Sequence, residues 1–287
     1  MAYPSVSAPY GLKPLKEYGG LPYAGSTSMY TIATGYSTNL YYGDIVQLTA
    51  NGSIVTCSYS AASSPTAAIA GTIGIFVGCQ YTNSMGQIIQ SQYWPASTVS
   101  NNAVAYVIDD PRVVFKAVVT GQGTSLANTL NVTVGYVNPA FVGSNMYPLT
   151  ANLGSTTTGD SYLALTGGVV SNGTGNTRVT AAAPFRVVGV VPESAVIVSA
   201  TASTSGSSST LTLGAANSAI LAGMQVVATG TGCAQGNYIT VTNVNSTTLT
   251  LSSAVTIASQ SVSFIGFPEV LVTWNGNFHS MNNTTGV

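Results

Sequence analysis

The sequence predicts an all-β protein whose main domain is of the jelly-roll or β-sandwich type. Short segments rich in Val, Ile, Tyr and Thr recur along the chain, and turn sequences such as Asn51-Gly52 and Gly167-Gly168 separate them. No long window shows the helical repeat of apolar residues with charged residues on the opposite face. Evenly spaced short strands with such turns are typical of sandwiches, jelly rolls and barrels.

Residues 1–25 are predicted to form an extended N-terminal arm, because prolines recur there at Pro4, Pro9, Pro14 and Pro22. Tyrosines alternate with these prolines, and tyrosine suits interfaces that are apolar at one end and wet at the other. Two alternatives remain open: the arm docks on a neighbouring subunit, or it packs on its own domain. The candidate interface residues are Tyr3, Tyr10, Lys13, Lys16, Tyr18, Tyr23 and, outside the arm, Trp94.

The main β domain is expected to begin at residue 26 and to run to residue 193. Its strands are predicted from their β-branched and aromatic residues and from the turns between them. The predicted strands are Met29–Ala33, Asp44–Leu48, Ser53–Thr56, Gly71–Tyr81, Ala103–Ile108, Val113–Val119, Thr129–Val134, Tyr162–Leu165 and Phe185–Val191.

Residues 194–268 are predicted to form a second, small β module with an immunoglobulin-like (Ig-like) arrangement. No charged residue lies between Glu193 and Glu269, and Ser, Thr, Ala and Gly dominate this stretch. Apolar residues nevertheless alternate with Thr or Ser, as in Leu211-Thr212-Leu213 and Leu249-Thr250-Leu251. This alternation indicates half-buried strands with Thr on the solvent side. A single helical turn is expected near Asn217–Gly223.

The module is predicted to be an insertion into the main domain. Residues Glu269–Trp274 return to the composition of the main domain, so Phe185–Val191 would lead out and Glu269–Trp274 would lead back. The main domain then comprises residues 26–193 plus 269–287, and the module points outward from an exposed loop. The alternative is two tandem domains, with the last strand belonging to the second.

Charge is scarce: charged residues make up 5 % of the chain and the formal net charge is −1, against a usual charged fraction of about 25 %. The scattered Lys and Arg residues give no basis for nucleic-acid binding. Such a surface suits a fixed array or homo-oligomer, although an extracellular protein adapted to salty water is the alternative. The most apolar stretch, Ala67–Cys79, is too short to span a membrane, and the N-terminus lacks the pattern of a secretion signal.

The sequence predicts no catalytic residues, no metal site and no cofactor. His279 is followed by Ser280, but neighbouring residues of a strand point to opposite faces, which does not suit a nucleophile and its base. Asp109 and Asp110 are the only adjacent carboxylates, and they are interpreted as a turn with local pairing to Arg112. The three cysteines lack metal-ligand spacing, and buried thiols are expected, although one disulfide pair is possible.

The module contains the segments Gly223-Met224-Gln225-Val226, Gly230-Thr231-Gly232, Gly236-Asn237-Tyr238-Ile239 and Thr247-Thr248-Leu249-Thr250-Leu251-Ser252. Together they resemble a β module that recurs in bacteriophage virion proteins, whose usual form is Gly-Met-x-Val, a Gly-Thr-Gly-Ile-Pro turn, Gly-Thr-x-Ile, then Thr-x-Thr-Leu-Ser. The chain departs from that form at Cys233-Ala234, where Ile-Pro is usual.

The main domain and the arm contain the segments Pro9-Tyr10-Gly11 with Lys13-Pro14, Tyr23-Ala24-Gly25-Ser26-Thr27, Gly43-Asp44-Ile45-Val46, Gly74–Tyr81, Ser91-Gln92-Tyr93-Trp94-Pro95 and Tyr106–Pro111. In order and spacing, these segments resemble a family of small tailed-phage proteins that are generally taken to be head decoration, or cement, proteins.

The resemblance implies a non-enzymatic virion protein that binds the outer surface of the shell of major capsid protein as a homo-oligomer, with a trimer expected. The module's polar loops could then contact glycans weakly. The alternative function is a tail-fibre or adhesin component whose β modules bind carbohydrate. A fibre usually shows collinear repeats or long heptads, and neither is present.

Overall fold

The computed structural model describes residues 9–57, 72–119, 142–143, 145–149, 154–167, 183–191, 194, 197–231, 239–266, 269–276 and 279. These residues form three sheets of six strands each, and the described part contains no α-helix. The all-β, sandwich-like fold class that the sequence predicts is therefore confirmed.

The strands are, in chain order, β1 (Lys13–Glu17), β2 (Ser28–Ile32), β3 (Ile45–Leu48), β4 (Ser53–Thr56), β5 (Thr72–Thr82), β6 (Ile88–Ser91), β7 (Val104–Ile108), β8 (Val113–Val118), β9 (Asn145–Leu149), β10 (Ala164–Gly167), β11 (Phe185–Val191), β12 (Ile197–Thr204), β13 (Ser208–Leu213), β14 (Gln225–Val227), β15 (Val241–Asn245), β16 (Thr248–Val255), β17 (Gln260–Ile265) and β18 (Glu269–Trp274).

The first sheet, here called the barrel sheet, has the order β3-β4-β2-β7-β5-β6 and nearly closes on itself, because β3 also pairs with β5. Gly74 lies at this seam, where a Cβ atom would come 2.1 Å from the carbonyl oxygen of Ile108. Only glycine fits there without moving the backbone. Val46, Phe76 and Val107 are among the buried residues that fill the interior of the barrel sheet.

The second sheet, the main sheet, has the order β1-β8-β18-β11-β9-β10. Its buried residues, such as Phe115 and Phe185, share a core with Ile45, Ile75 and Ile108 of the barrel-sheet strands. Alternate residues of those strands therefore serve two cores, one inside the barrel sheet and one against the main sheet.

The third sheet, the module sheet, has the order β14-β17-β12-β13-β16-β15 and lies within residues 197–265. The alternation predicted from the sequence is confirmed, since Leu211, Leu213, Leu249 and Leu251 are buried while Thr212 is exposed. Among the described residues, fifteen buried side chains form a separate core for the module sheet.

Strands β11 and β18, which flank the module in sequence, pair with each other from Phe185–Trp274 to Val191–Glu269. Strand β18 also pairs with β8, so it is a central strand of the main sheet. This is the pairing that the insertion hypothesis requires. That the module points outward stays a prediction.

Strand β1 shows that part of the predicted arm packs on the protein's own domain, which was one of the two alternatives. Residues Lys13–Glu17 pair with β8 at the edge of the main sheet. Pro14 is tolerated because it lies on an edge strand next to a β-bulge. Proline spacing alone therefore did not reveal this strand.

Two further predictions are wrong. Trp94 was a candidate interface anchor, but it is fully buried, its ring packs edge-on to Tyr81 at 5.3 Å, and its backbone exchanges hydrogen bonds with Leu40. A side chain without exposed surface cannot contact a partner. The helical turn near Asn217–Gly223 is replaced by successive turns, closed by Ile220 N–H to Asn217 O and Met224 N–H to Leu221 O. The predicted strand Thr129–Val134 lies outside the described residues.

Candidate interaction surface

The chain reverses direction directly after β1, in a tight turn here called the arm turn, residues 17–21. The Glu17 N–H donates to the Leu21 carbonyl at 2.8 Å, and the Gly20 N–H donates to the Glu17 carbonyl at 3.1 Å. Gly19 and Gly20 have φ values of 125° and 96°, which non-glycine residues rarely adopt. The Tyr18 N–H donates to the Arg112 carbonyl at 2.7 Å and so joins the arm turn to the start of β8.

The arm turn and the strand before it expose three large apolar side chains. The exposed fractions are 49 % for Leu15, 67 % for Tyr18 and 66 % for Leu21. The backbone that carries them is held by the β1–β8 ladder and by the hydrogen bonds of the turn. Exposed apolar side chains on an ordered backbone lose little conformational freedom on contact with a partner, which favours binding.

A groove of about 450 Å³ opens beside the arm turn. It is lined by Tyr18 on one side and by the beginning of β11 and the end of β18 on the other, with Arg186, Thr273 and Asn275 among the residues there. Arg186 and Thr273 are register partners across the β11–β18 pair. The Thr273 hydroxyl lies 3.3 Å from the carbonyl oxygens of both Pro111 and Val113, so it ties β18 to the segment that carries Arg112.

The groove concentrates positive charge in a chain that has little charge elsewhere. Arg112 and Arg186 both line it, and no carboxylate is among its lining residues. The described part of the chain contains two ion pairs, Lys13 with Asp160 and Lys116 with Glu269, and neither involves these arginines. Both arginines are exposed, and within the described residues neither guanidinium group forms an ion pair with a carboxylate.

Residues Asp109–Arg112 form the predicted turn, but the carboxylate binds the backbone of Arg112 and not its side chain. The Asp110 carboxylate accepts a 2.8 Å hydrogen bond from the backbone N–H of Arg112, and the described residues contain no ion pair to the Arg112 guanidinium. Asp109 instead accepts a 2.9 Å hydrogen bond from the Tyr30 hydroxyl. Arg112, the last residue of this turn, lines the groove.

The end of β8 and β18 that lies away from the groove carries a compact polar cluster. The Tyr10 hydroxyl donates to Glu269 Oε1 at 2.5 Å, and Lys116 Nζ lies 3.0 Å from the same oxygen. Burial, followed by the hydrogen bond to Glu269, raises the pKa of Tyr10 well above its ordinary value. Lys116 also lies 5.5 Å from the centre of the Tyr10 ring. This cluster fixes the beginning of the arm on the main sheet.

The predicted interface residues differ in exposure and in the groups that they contact. Tyr18 is exposed, Lys16 and Tyr23 are half-buried, and Tyr3 lies outside the described residues. Tyr10 and Lys13 bind groups of their own domain: Tyr10 binds Glu269, and Lys13 pairs with Asp160 and lies 4.1 Å from the Tyr42 ring centre. Tyr23 donates to the Ser26 carbonyl at 2.5 Å.

Sequence reasoning missed Leu15, Leu21, Arg112 and Arg186 as members of a surface. Arg112 and Arg186 are 74 positions apart in the chain, and only the pairing of β8, β18 and β11 brings them to one groove. A usable signal was the rarity of arginine: two of the three arginines in the chain line this groove.

The residues considered for chemistry lie elsewhere. His279 is buried with its ring 5.2 Å from that of Trp274, and burial lowers its pKa. Cys57 and Cys79 are both buried, and burial raises the pKa of the Cys79 thiol to about 12. Among the described residues, no three His, Cys, Asp or Glu side chains come together as a metal site would require.

Comparison of the chain with protein-family models, with curated proteins and with solved structures returned no match. Over the described part of the chain, no helix has the length and apolar character needed to cross a membrane.

Proposed function

We propose that this chain is a capsid decoration protein of a tailed bacteriophage. It binds the outer surface of the shell formed by the major capsid protein and stabilises that shell. The proposal rests on two observations. The main domain resembles the cement-protein family, and the groove and the connections to the module lie at opposite ends of the main sheet.

The placement of the groove and the module at opposite ends of the main sheet is the structural observation that carries the proposal. The groove and the arm turn lie at one end of the β11–β18 pair, where Arg186 faces Thr273. The chain enters and leaves the module at the other end, beyond Val191 and before Glu269. The seven residues of β11 separate the two ends by roughly 20 Å. A protein that attaches by one end and extends a module away from it needs this arrangement.

The character of the attachment end suits a permanent contact. Leu15, Tyr18 and Leu21 offer apolar area, and the burial of apolar area depends little on ionic strength. Binding to assembled shell but not to its dissociated parts stabilises the shell by mass action. A homo-trimer that bridges several capsid subunits would add avidity without new contacts.

The experiment that tests the proposal counts copies of this protein in purified virions by quantitative mass spectrometry, with the major capsid protein as internal standard. We expect a simple integer ratio to the major capsid protein. A handful of copies per particle would overturn the proposal and favour the tail-fibre or adhesin alternative. Complete absence from virions would overturn both.

A further inference from the structure

Two arginines that form no ion pair within the described residues line the groove, and this arrangement requires a structural explanation. In a chain with six Lys and Arg residues among 287, two of the three arginines line one groove, and its described lining residues include no acidic side chain. Lys13 and Lys116, by contrast, each pair with a carboxylate of their own domain. The described lining of the groove thus presents two arginines and no carboxylate, which is complementary to a ligand that carries negative charge.

The shape and lining of the groove indicate what kind of ligand fits. A volume of about 450 Å³ is enough for a few residues of an extended chain. Its walls combine the Tyr18 ring with apolar groups such as Val188 and with the polar side chains of Thr273 and Asn275. A peptide with carboxylate and apolar side chains matches this mixed surface.

Nucleic acid and free phosphate match it less well. Nucleic-acid binding needs many cations along the backbone, and the net charge of this chain is −1. A dedicated phosphate site usually adds backbone N–H donors of a helix N-terminus or a nest, whereas the groove is lined by strand ends and by the arm turn.

We propose that the groove receives an acidic, extended segment of the partner protein. Arg112 and Arg186 bind carboxylates of that segment with the paired N–H geometry that arginine offers, while Tyr18 packs against its apolar side chains. The inference rests on the proposed function in one respect, namely that the partner is the capsid shell protein.

The arm turn and the arginines contribute to binding in different ways, because one contact is apolar and the other is charged. The apolar arm turn contributes binding that salt hardly changes, because burial of apolar area does not depend on charge. The arginines contribute binding that salt screens, and they set the orientation of the protein on its partner.

The test uses the full-length protein and two fluorescent peptides, Gly-Val-Glu-Thr-Glu-Val-Gly and the same peptide with both Glu residues replaced by Gln, in anisotropy titrations at low salt. We expect the Glu peptide to bind roughly tenfold or more tightly than the Gln peptide, as two charge-assisted contacts predict. The double variant Arg112→Gln/Arg186→Gln should lose that preference. Arg112→Lys/Arg186→Lys keeps the charge without the paired geometry and should lose part of it.

A matched control keeps the change of net charge but places it elsewhere. The double variant Thr212→Glu/Ser253→Glu alters two exposed residues of the module and lowers the net charge by the same amount as the double Gln variant. It should retain the preference for the Glu peptide. Equal binding of the two peptides, no binding of either, or equal loss in this control would overturn the inference.

The outcome for the groove is separable from the outcome for the proposed function. If virions carry the protein in integer ratio and particles reconstituted with the double Gln variant bind it as tightly as wild type, the groove inference fails and the decoration proposal stands. If the peptide preference depends on the arginines and virions lack the protein, the partner is another protein with an acidic segment.

Discussion

The Ser161 hydroxyl donates a 2.5 Å hydrogen bond to Oδ1 of Asp44, although the two residues are 117 positions apart in the chain. The second oxygen of Asp44 accepts a 2.8 Å hydrogen bond from the Tyr41 N–H. Asp44 lies immediately before β3 and is almost fully buried, and burial raises the pKa of its carboxyl to about 6 in spite of these two hydrogen bonds, which lower it.

The pH dependence of stability should carry the signature of Asp44. Because its pKa is raised on folding, from 3.8 to about 6, its contribution is fully present below pH 3.8 and is lost as the pH rises through about 6. The shift corresponds to at most about 3 kcal/mol of unfolding free energy. We expect Asp44→Asn, which cannot titrate, to flatten the stability profile between these two pH values in urea denaturation.

Ser161→Ala serves as the companion variant for that measurement. It keeps the carboxyl but removes a hydrogen bond that lowers its pKa, so the decline in stability should move to higher pH. If Asp44→Asn kept the same slope as wild type, the titrating group in this pH range would be a different one.

The arm turn should matter for binding and not for folding. Tyr18→Ser and Leu21→Ser change side chains that are two-thirds exposed, so the free energy of unfolding should change by less than about 0.5 kcal/mol. Binding to decoration-free particles should weaken roughly tenfold or more in a sedimentation assay. The loss should persist at high salt, because the contact is apolar.

Met85→Ser and Ile88→Ser are the matched controls for the arm turn. These side chains are 82 % and 67 % exposed, but they lie at the β5–β6 hairpin of the barrel sheet. We expect particle binding to remain at the wild-type level. An equal loss in these controls would point to general surface hydrophobicity, and the assignment of the arm turn would fail.

Trp94 should behave as a core residue. Trp94→Ala removes a fully buried side chain that contacts Tyr81, and we expect a loss of about 3–5 kcal/mol in unfolding free energy. Trp94→Phe should lose less, because part of the volume is kept. Guanidinium denaturation measures both, and an unchanged midpoint for Trp94→Ala would show that the ring is not in the core.

The module should be removable. Because β11 and β18 pair up to Val191 and Glu269, a short Gly-Ser turn can replace the residues between them and close an antiparallel hairpin. Among the described residues of the module, Val227 belongs to the core of the main sheet, so a small loss of stability is expected. The shortened protein should still bind particles, and failure of its main sheet to fold would show that the main sheet depends on the module.

Local patterns predicted most of the strands, because they depend on neighbouring residues alone. The alternation at Leu211–Leu213 and Leu249–Leu251 sets which face is buried, and both pairs are buried as expected. β11 begins and ends where the sequence predicts, at Phe185 and Val191. Strand β1 was missed because the rule that proline disfavours strands does not apply at a sheet edge.

Trp94 shows where local reasoning fails for a single side chain. Its neighbours Gln92, Tyr93 and Pro95 are polar or turn-forming, which suggests exposure, yet strand pairing with Leu40 brings the ring into the barrel interior. Burial of one residue depends on what lies opposite it, and the partner is more than fifty positions away.

The sequence by itself determined that the chain is all-β, that charge is nearly absent and that residues 194–268 differ from the rest, since composition and alternation are local properties. Only the tertiary structure decided that part of the arm is an edge strand, that Trp94 is core, and that Arg112 and Arg186 share a groove. The physical reason is that sheet register joins residues distant in the chain, and no local pattern encodes which strands become neighbours.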